Sequence, residues 1–461
     1  MERQDYNQDY NKEMLEFIKE SPTSFHVIAN LKRKMDEAGF AELSEREEWE
    51  VSAGGRYYVI RNDSSMIAFQ VPEGEVHGFH MAASHSDSPT FKIKEHPETE
   101  VEGHYVRLNT EKYGGMILST WLDRPLSVAG RIVVKGEKKP EAGDTGARAE
   151  QIVTKLVNID RDLLVIPNVA IHMNREMNKG VEYNPQVDML PLYADCTSAC
   201  GEKSGVQHGT KHGMLLKEIA ESAGVQPEEI LGHDLFLYVR DAGRVLGSTA
   251  DDAGEAFVVS PKLDDLQCVY ASMKAFCTSA PKEYISLCAV FDNEEVGSGT
   301  GQGADSTFLE DVIARVCDGL RGQERGEILR KRWIAGSFLI SADNAHAVHP
   351  NHPEKADPTN RPYLNGGIVI KYHGSQKYTT DAVSAARMKL LCERAGVPFQ
   401  TYANRSDIAG GSTLGNISNA HVSVSSVDIG LPQLAMHSAV ETGGARDTEY
   451  AVKMFRIFFG E

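Results

Sequence analysis

The chain has 461 residues, 41% of them hydrophobic and 25% charged, which implies two domains with the composition of a soluble globular protein. Its net charge of −18 excludes a general nucleic-acid surface, which would be basic, but leaves room for a local cationic pocket. No run approaches the roughly 20 apolar residues of a membrane helix, and the polar, acidic start MERQDYNQDYNKEM is no secretory signal, so a cytoplasmic protein is expected.

In chain order, Ser21-Pro22-Thr23-Ser24 reads as a helix cap. The amphipathic run 25–38 follows it, with Val27, Ile28, Leu31 and Met35 on one face. A short apolar strand over 78–83 runs into His85-Ser86-Asp87. Between residues 90 and 250 the texture changes to short β-like pieces, such as 130–134 and 163–172, separated by polar, glycine-rich loops. The loops 135–151 and 196–213 are the most open of these. The seven cysteines are odd in number and scattered, and Cys196 and Cys200 form the only close pair. Free thiols are the expected reading.

From Lys262 onward, helices at 264–280, 308–320 and 380–395 alternate with strands at 284–291, 338–340, 367–372 and 422–429. That alternation predicts an α/β fold, a mostly parallel sheet covered by helices. The catalytic domain would then be discontinuous, residues 1–89 and 251–461, with a β-rich domain inserted at 90–250.

The strongest chemical signal is Phe291–Ser298, FDNEEVGS, where a strand ends in two adjacent acids. Neighbouring carboxylates disfavour joint ionisation. A metal on Glu295 and a proton on Glu294 would resolve the conflict, whereas a solvated loop is the bland alternative. His85, Asp264, Asp343 and His437 also sit at strand ends or in the connections after them, where open α/β sheets place ligands. Two zinc ions sharing Asp264 would balance the set. One would take His85 and Asp343, the other Glu295 and His437. Cobalt or manganese suits the same donors. Glu294 is left over as general base, and Asp87, two residues from His85, fits a carboxylate that orients the imidazole.

The segments ASHSDSP (83–89), TWLDRPLSVAGR (120–131), IPNVAIHMNR (166–175), PKLDDL (261–266), DNEEVGS (292–298), SADNAHAVHPN (341–351) and LPQLAMHS (431–438) resemble, in order, the aspartyl aminopeptidase family of cocatalytic di-zinc exopeptidases. The resemblance implies the same ligands, His85, Asp264, Glu295, Asp343 and His437, with Glu294 as base and Asp87 behind His85. Family members often read Leu-Asp-Asn where this chain has Leu263-Asp264-Asp265, which leaves Asp265 a supporting role. The resemblance also implies a homo-oligomer in which the insert makes dimer contacts and dimers build a tetrahedral dodecamer.

Three further residues are weighed as substrate contacts. By sequence alone His172 reads as a satisfied core or interface histidine, and the resemblance makes it one that reaches a neighbouring subunit's active site. His349 is expected to line the substrate pocket, with His346 and His352 as loop histidines. Lys371 reads either as a surface lysine or, as the resemblance implies, as the cation for an acidic first residue. The stretch 410–415 is glycine-rich but lacks the Lys-Ser/Thr pair of a phosphate loop.

The expected function is hydrolysis of the N-terminal residue of peptides, with Asp or Glu preferred. The alternatives are a related di-metal peptidase or deacylase with neutral or basic specificity, and a non-catalytic assembly protein on the same fold. No nucleic acid or membrane partner is expected.

Overall fold

The computed structural model describes residues 9–136, 151–195, 213–250, 254–321, 323–411 and 413–461. Cys196 and Cys200 and most of the two predicted open loops lie outside the described residues. The chain divides into two compact units, Met1–Ser88 with Ala242–Glu461, and Pro89–Asp241. Among the described residues, no helix is long and apolar enough to cross a membrane.

The larger unit is built on a nine-stranded sheet. Its middle strands, Ile285–Phe291, Phe79–His85, Phe338–Ala342 and Ser425–Gly430, lie side by side and parallel. Antiparallel pairings join this parallel core to Ser65–Gln70 on one side and Ile368–Tyr372 on the other. These strands read as continuous apolar runs because both faces are covered. Ile285, Leu287, Ala289 and Phe291 face a cluster with Phe308, Val312 and Leu414. Cys288 and Val290, pointing the other way, join Val269, Phe276, Met388 and Phe455. The helices Leu263–Thr278, Ala382–Ala395 and Asp447–Phe459 cover that second face, and Phe308–Arg321 the first. The fold is therefore the helix-covered, mostly parallel α/β sheet that the alternation predicts.

Two details differ from expectation. The helix Ser24–Glu37 forms, but Thr23 makes no side-chain cap. Its hydroxyl lies 2.9 Å from His26 Nδ1 instead. Residues 163–172 form no strand, only isolated bridges at Leu164, Val165 and Ile166. Pro167 follows at once, and a proline has no N–H to continue a ladder.

The smaller unit holds a six-stranded sheet whose pairings are all antiparallel among the described residues. Its two longest-paired strands, Leu126–Gly136 and Ile230–Val239, meet so closely at Gly130 that a Cβ there would lie 2.0 Å from the Asp234 carbonyl oxygen. No rotamer relieves a clash with backbone. Gly130→Ala is expected to destabilise this unit by roughly 2–3 kcal/mol, and urea unfolding followed by circular dichroism checks it. An unchanged midpoint would contradict the close approach.

Candidate active site

His85 ends the strand Phe79–His85 and is 1% exposed. Its Nε2 lies 3.4 Å from Asp264 Oδ1 and 3.9 Å from Asp343 Oδ1. On the ring's other side, Nδ1 is 3.1 Å from the Asp87 carbonyl and 3.4 Å from the Asp87 carboxylate. A proton on Nδ1 leaves the Nε2 lone pair for the side facing the acids. The Asp87 carboxylate does a second job. It accepts the backbone N–H of Glu294 at 3.1 Å and of Glu295 at 3.2 Å. The short turn Glu294–Val296, entered through Asn293 at φ 63°, is thereby held by the residue whose carbonyl lies 3.1 Å from His85 Nδ1.

Asp264 opens the helix Leu263–Thr278 with non-helical backbone, and the Asp264–Asp265 peptide is cis. The Asp264 side chain faces two histidines: its Oδ2 lies 3.4 Å from His437 Nε2, as its Oδ1 does from His85. His437 Nε2 is also 3.4 Å from Glu295 Oε2. His437 sits at φ +65°, a conformation costly for a residue with a side chain, and such strain concentrates at functional sites. Glu441 holds it there: one carboxylate oxygen accepts the His437 N–H at 2.7 Å, the other the Asp264 N–H at 3.0 Å. Asp265 accepts the His85 N–H at 3.1 Å.

Asp343 follows the strand Phe338–Ala342. Its Oδ2 lies 3.5 Å from the buried Lys371 Nζ. Among the described residues, three donor sets lie within metal-binding reach: His85, Asp264, Asp265 and Asp343; Asp264, Glu295 and His437; and His85, Glu294 and Glu295. Asp264 belongs to the first two.

The electrostatics are those of a site built for cations. Burial, with Asp264 adding to it, pushes the Glu295 carboxyl well above its ordinary range. Burial pushes Glu294 up to about 8 and Asp343 up to about 6. Burial opposes charge on His85, but the neighbouring carboxylates of Asp264 and Asp87 outweigh it and raise its pKa. Lys371 likewise stays charged because Asp343 outweighs its burial. Asp264 Oδ1 and Glu295 Oε1 are buried without a hydrogen-bond donor. Orphaned carboxylate oxygens on residues that face imidazole nitrogens are the donor chemistry that zinc takes, so the residues present fit that metal.

A cavity of about 290 Å³ opens over Asp264, Glu294, Asp343 and His437 and is walled by Lys371 and Tyr378. The Lys371 ammonium lies 5.5 Å from the centre of the Tyr378 ring. His349 is not on this wall. It lines an adjoining groove with His352 and Lys355. His172 lies in the smaller unit, exposed, in a segment where Val169, Ile171 and Met173 are 50%, 47% and 82% exposed. Glu441 and Tyr378 were not found by sequence reasoning. Neither stands in a motif with metal-ligand spacing, and the role of Glu441 depends on the pairing of Glu441–Gly444 with Phe257–Ser260 far away in sequence.

Residues 17–459 match the profile of the family described as aminopeptidase I zinc metalloprotease (M18). A Clostridium novyi protein named probable M18 family aminopeptidase 2 is 46% identical over 454 residues, covering 98% of each chain. Among solved structures, a chain of the Ape4 and Nbr1 complex superposes with a TM-score of 0.90 at 34% identity, over 98% of this chain and 85% of that one. The mApe1 dodecamer of S. cerevesiae superposes with a TM-score of 0.80 at 26% identity, over 98% of this chain and 96% of that one. With the family profile spanning nearly its whole length and a relative so similar from end to end, this chain belongs to the M18 family of zinc metallo-aminopeptidases.

Proposed function

We propose that this aminopeptidase works with two zinc ions, held by His85, Asp264 and Asp343 and by Asp264, Glu295 and His437. The observation that carries the reading is the shared Asp264, whose two oxygens face the two histidines separately. Bound zinc supplies Lewis acidity, making a water acidic and the first peptide carbonyl electrophilic. Glu294 would take a proton from the attacking water and pass it to the departing amine. Asp87 sets both the His85 ring and the backbone that carries Glu294. Cobalt or manganese would serve the same donors.

Lys371 is the proposed selectivity residue. It is a charged, buried ammonium on the cavity wall and already shares its charge with Asp343. A buried cation with one imperfect partner favours a second acid, so Asp or Glu at the first position is preferred. His172 is proposed to act across subunits in a homo-oligomer, a dodecamer. The exposed apolar segment around it needs cover, and the S. cerevesiae relative is a dodecamer. A cytoplasmic setting agrees with free cysteines at Cys268, Cys277, Cys288, Cys317 and Cys392.

The test is a panel of aminoacyl amides given to metal-stripped protein before and after zinc, cobalt or manganese, with N-acetylated substrates as control. Metal-dependent release of Asp and Glu first, and none from acetylated substrates, is expected. Lys371→Met should erase the acidic preference, by roughly tenfold or more in kcat/KM. Release of neutral or basic residues first would remove Lys371 from its role. Activity on acetylated substrates would favour a deacylase.

A further inference from the structure

The catalytic cavity does not end at its wall. His346 lines it and also lines a second groove, of about 310 Å³, with His349, His352 and Lys355 along one side and Gln433–Ala435 along the other. Both sides are rigidly tied to the site. Ala345–His346 follows Asp343 and pairs in parallel with Pro432–Leu434, which precedes His437. The groove is thus a continuation of the cavity between the segments that carry Asp343 and His437.

A peptide cut at the first bond needs two directions. Its first side chain fills the cavity toward Lys371, and the rest of the chain must leave. The second residue lies only about 3.3–3.6 Å further along an extended chain. The groove past His346 is the adjoining space, and its chemistry is cationic. Lys355 forms no ion pair among the described residues. His349 accepts the Asn351 N–H on Nδ1 at 3.2 Å, which leaves Nε2–H as a donor. Two acids are near Lys355, and both are engaged elsewhere: Glu354 by His352 Nδ1 at 3.3 Å and Asp407 by Arg405 at 2.8 Å. In a chain of net charge −18, such a local cationic edge stands out as a place for an anion.

We propose that this groove is the leaving-side subsite, and that Lys355 with His349 favours substrates presenting a carboxylate on the second residue. That carboxylate is either a side chain or the C-terminus of a dipeptide. The inference rests on the aminopeptidase reading above, and its test separates the two.

Substrates are built on whichever first residue the enzyme cleaves fastest, here X. X-Ala, X-Ala-amide and X-Glu-amide are compared on the zinc-loaded enzyme. X-Ala and X-Glu-amide are each expected to exceed X-Ala-amide by about fivefold in kcat/KM, the scale of one exposed ion pair. The advantage should sit in KM and shrink at high salt, where exposed charges are screened. Lys355→Gln should reduce it to within about twofold, and Lys355→Arg should restore it. An advantage for X-Ala alone assigns the site to the terminal carboxylate of dipeptides, and one for X-Glu-amide alone assigns it to an acidic second side chain. Equal rates on all three, or an advantage that survives Lys355→Gln, would overturn the subsite. Failure to cleave any of them would overturn the aminopeptidase reading beneath it.

Discussion

Glu294→Gln is expected to lower kcat by at least about 10²-fold while metal content and oligomer size stay as they are. The carboxylate hangs from a backbone fixed at Asp87, and the amide is nearly isosteric, so the turn should keep its shape. What changes is proton capacity. Burial pushes the Glu294 carboxyl up to about 8, and bound cations would draw that value down toward neutrality, the range a general base needs. An amide can neither accept nor return the proton. The loss should appear in kcat with KM little altered, because substrate contacts remain. Zinc analysis and size-exclusion chromatography check the rest. Turnover within a few-fold of the unmodified enzyme would remove Glu294 as base.

The second large effect is metal removal. Stripping zinc should abolish turnover, and it should also cost stability. Asp264, Glu295 and Asp343 crowd together with His85 and His437, and the counter-charges present are two imidazoles and Lys371. A ligand at about 100 to 1,000 times its Kd adds roughly 3–4 kcal/mol to the folded state, on the order of 5 °C or more in Tm for a unit of this size. The effect has a sign in pH. Asp343 and Glu294 have folded pKa values raised to about 6 and about 8, so the zinc-free protein keeps their contribution at low pH. It loses that contribution as pH rises through those values. The Tm gap between zinc-loaded and zinc-free protein should therefore widen from pH 6 to pH 8 on this account. Asp264→Asn should shrink the gap, since that carboxylate serves both donor sets. A Tm indifferent to zinc at every pH would argue that the cluster holds no metal.

The sequence was most readable where chemistry and topology coincide. His85, Asp264, Glu295, Asp343 and His437 come from five separate segments, yet all stand where a strand ends or a connection begins, and the fold brings them into overlapping clusters that share Asp264. The central strands were legible because burial on both faces leaves continuous apolar runs. What escaped depended on distant partners. The helix Asp447–Phe459 hides its pattern at the end of the chain, though Val452, Phe455 and Phe459 repeat at helical spacing. Residues 163–172 looked like a strand because apolar residues recur there, but Pro167 denies the ladder and Val169, Ile171 and Met173 face outward. Glu441 looked like any other acid. Only the pairing of Glu441–Gly444 with Phe257–Ser260 puts its two oxygens on the Asp264 and His437 backbones.

The double duty of Asp87 bears on how such a site tolerates disturbance. One residue, through its carbonyl and its carboxylate, fixes the ring of His85 and the two amides from which Glu294 and Glu295 hang. On the proposed roles, base and ligands share a single datum. A jolt to the strand Phe79–His85 is a common-mode error: it carries His85, Glu294 and Glu295 together and leaves the spacing between them nearly constant. The same wiring removes an independent adjustment. Evolution could not readily retune the reach of the base without also re-aiming a donor. Diversity of substrate should therefore accumulate in the segments around Lys371 and Lys355, which belong to other parts of the chain.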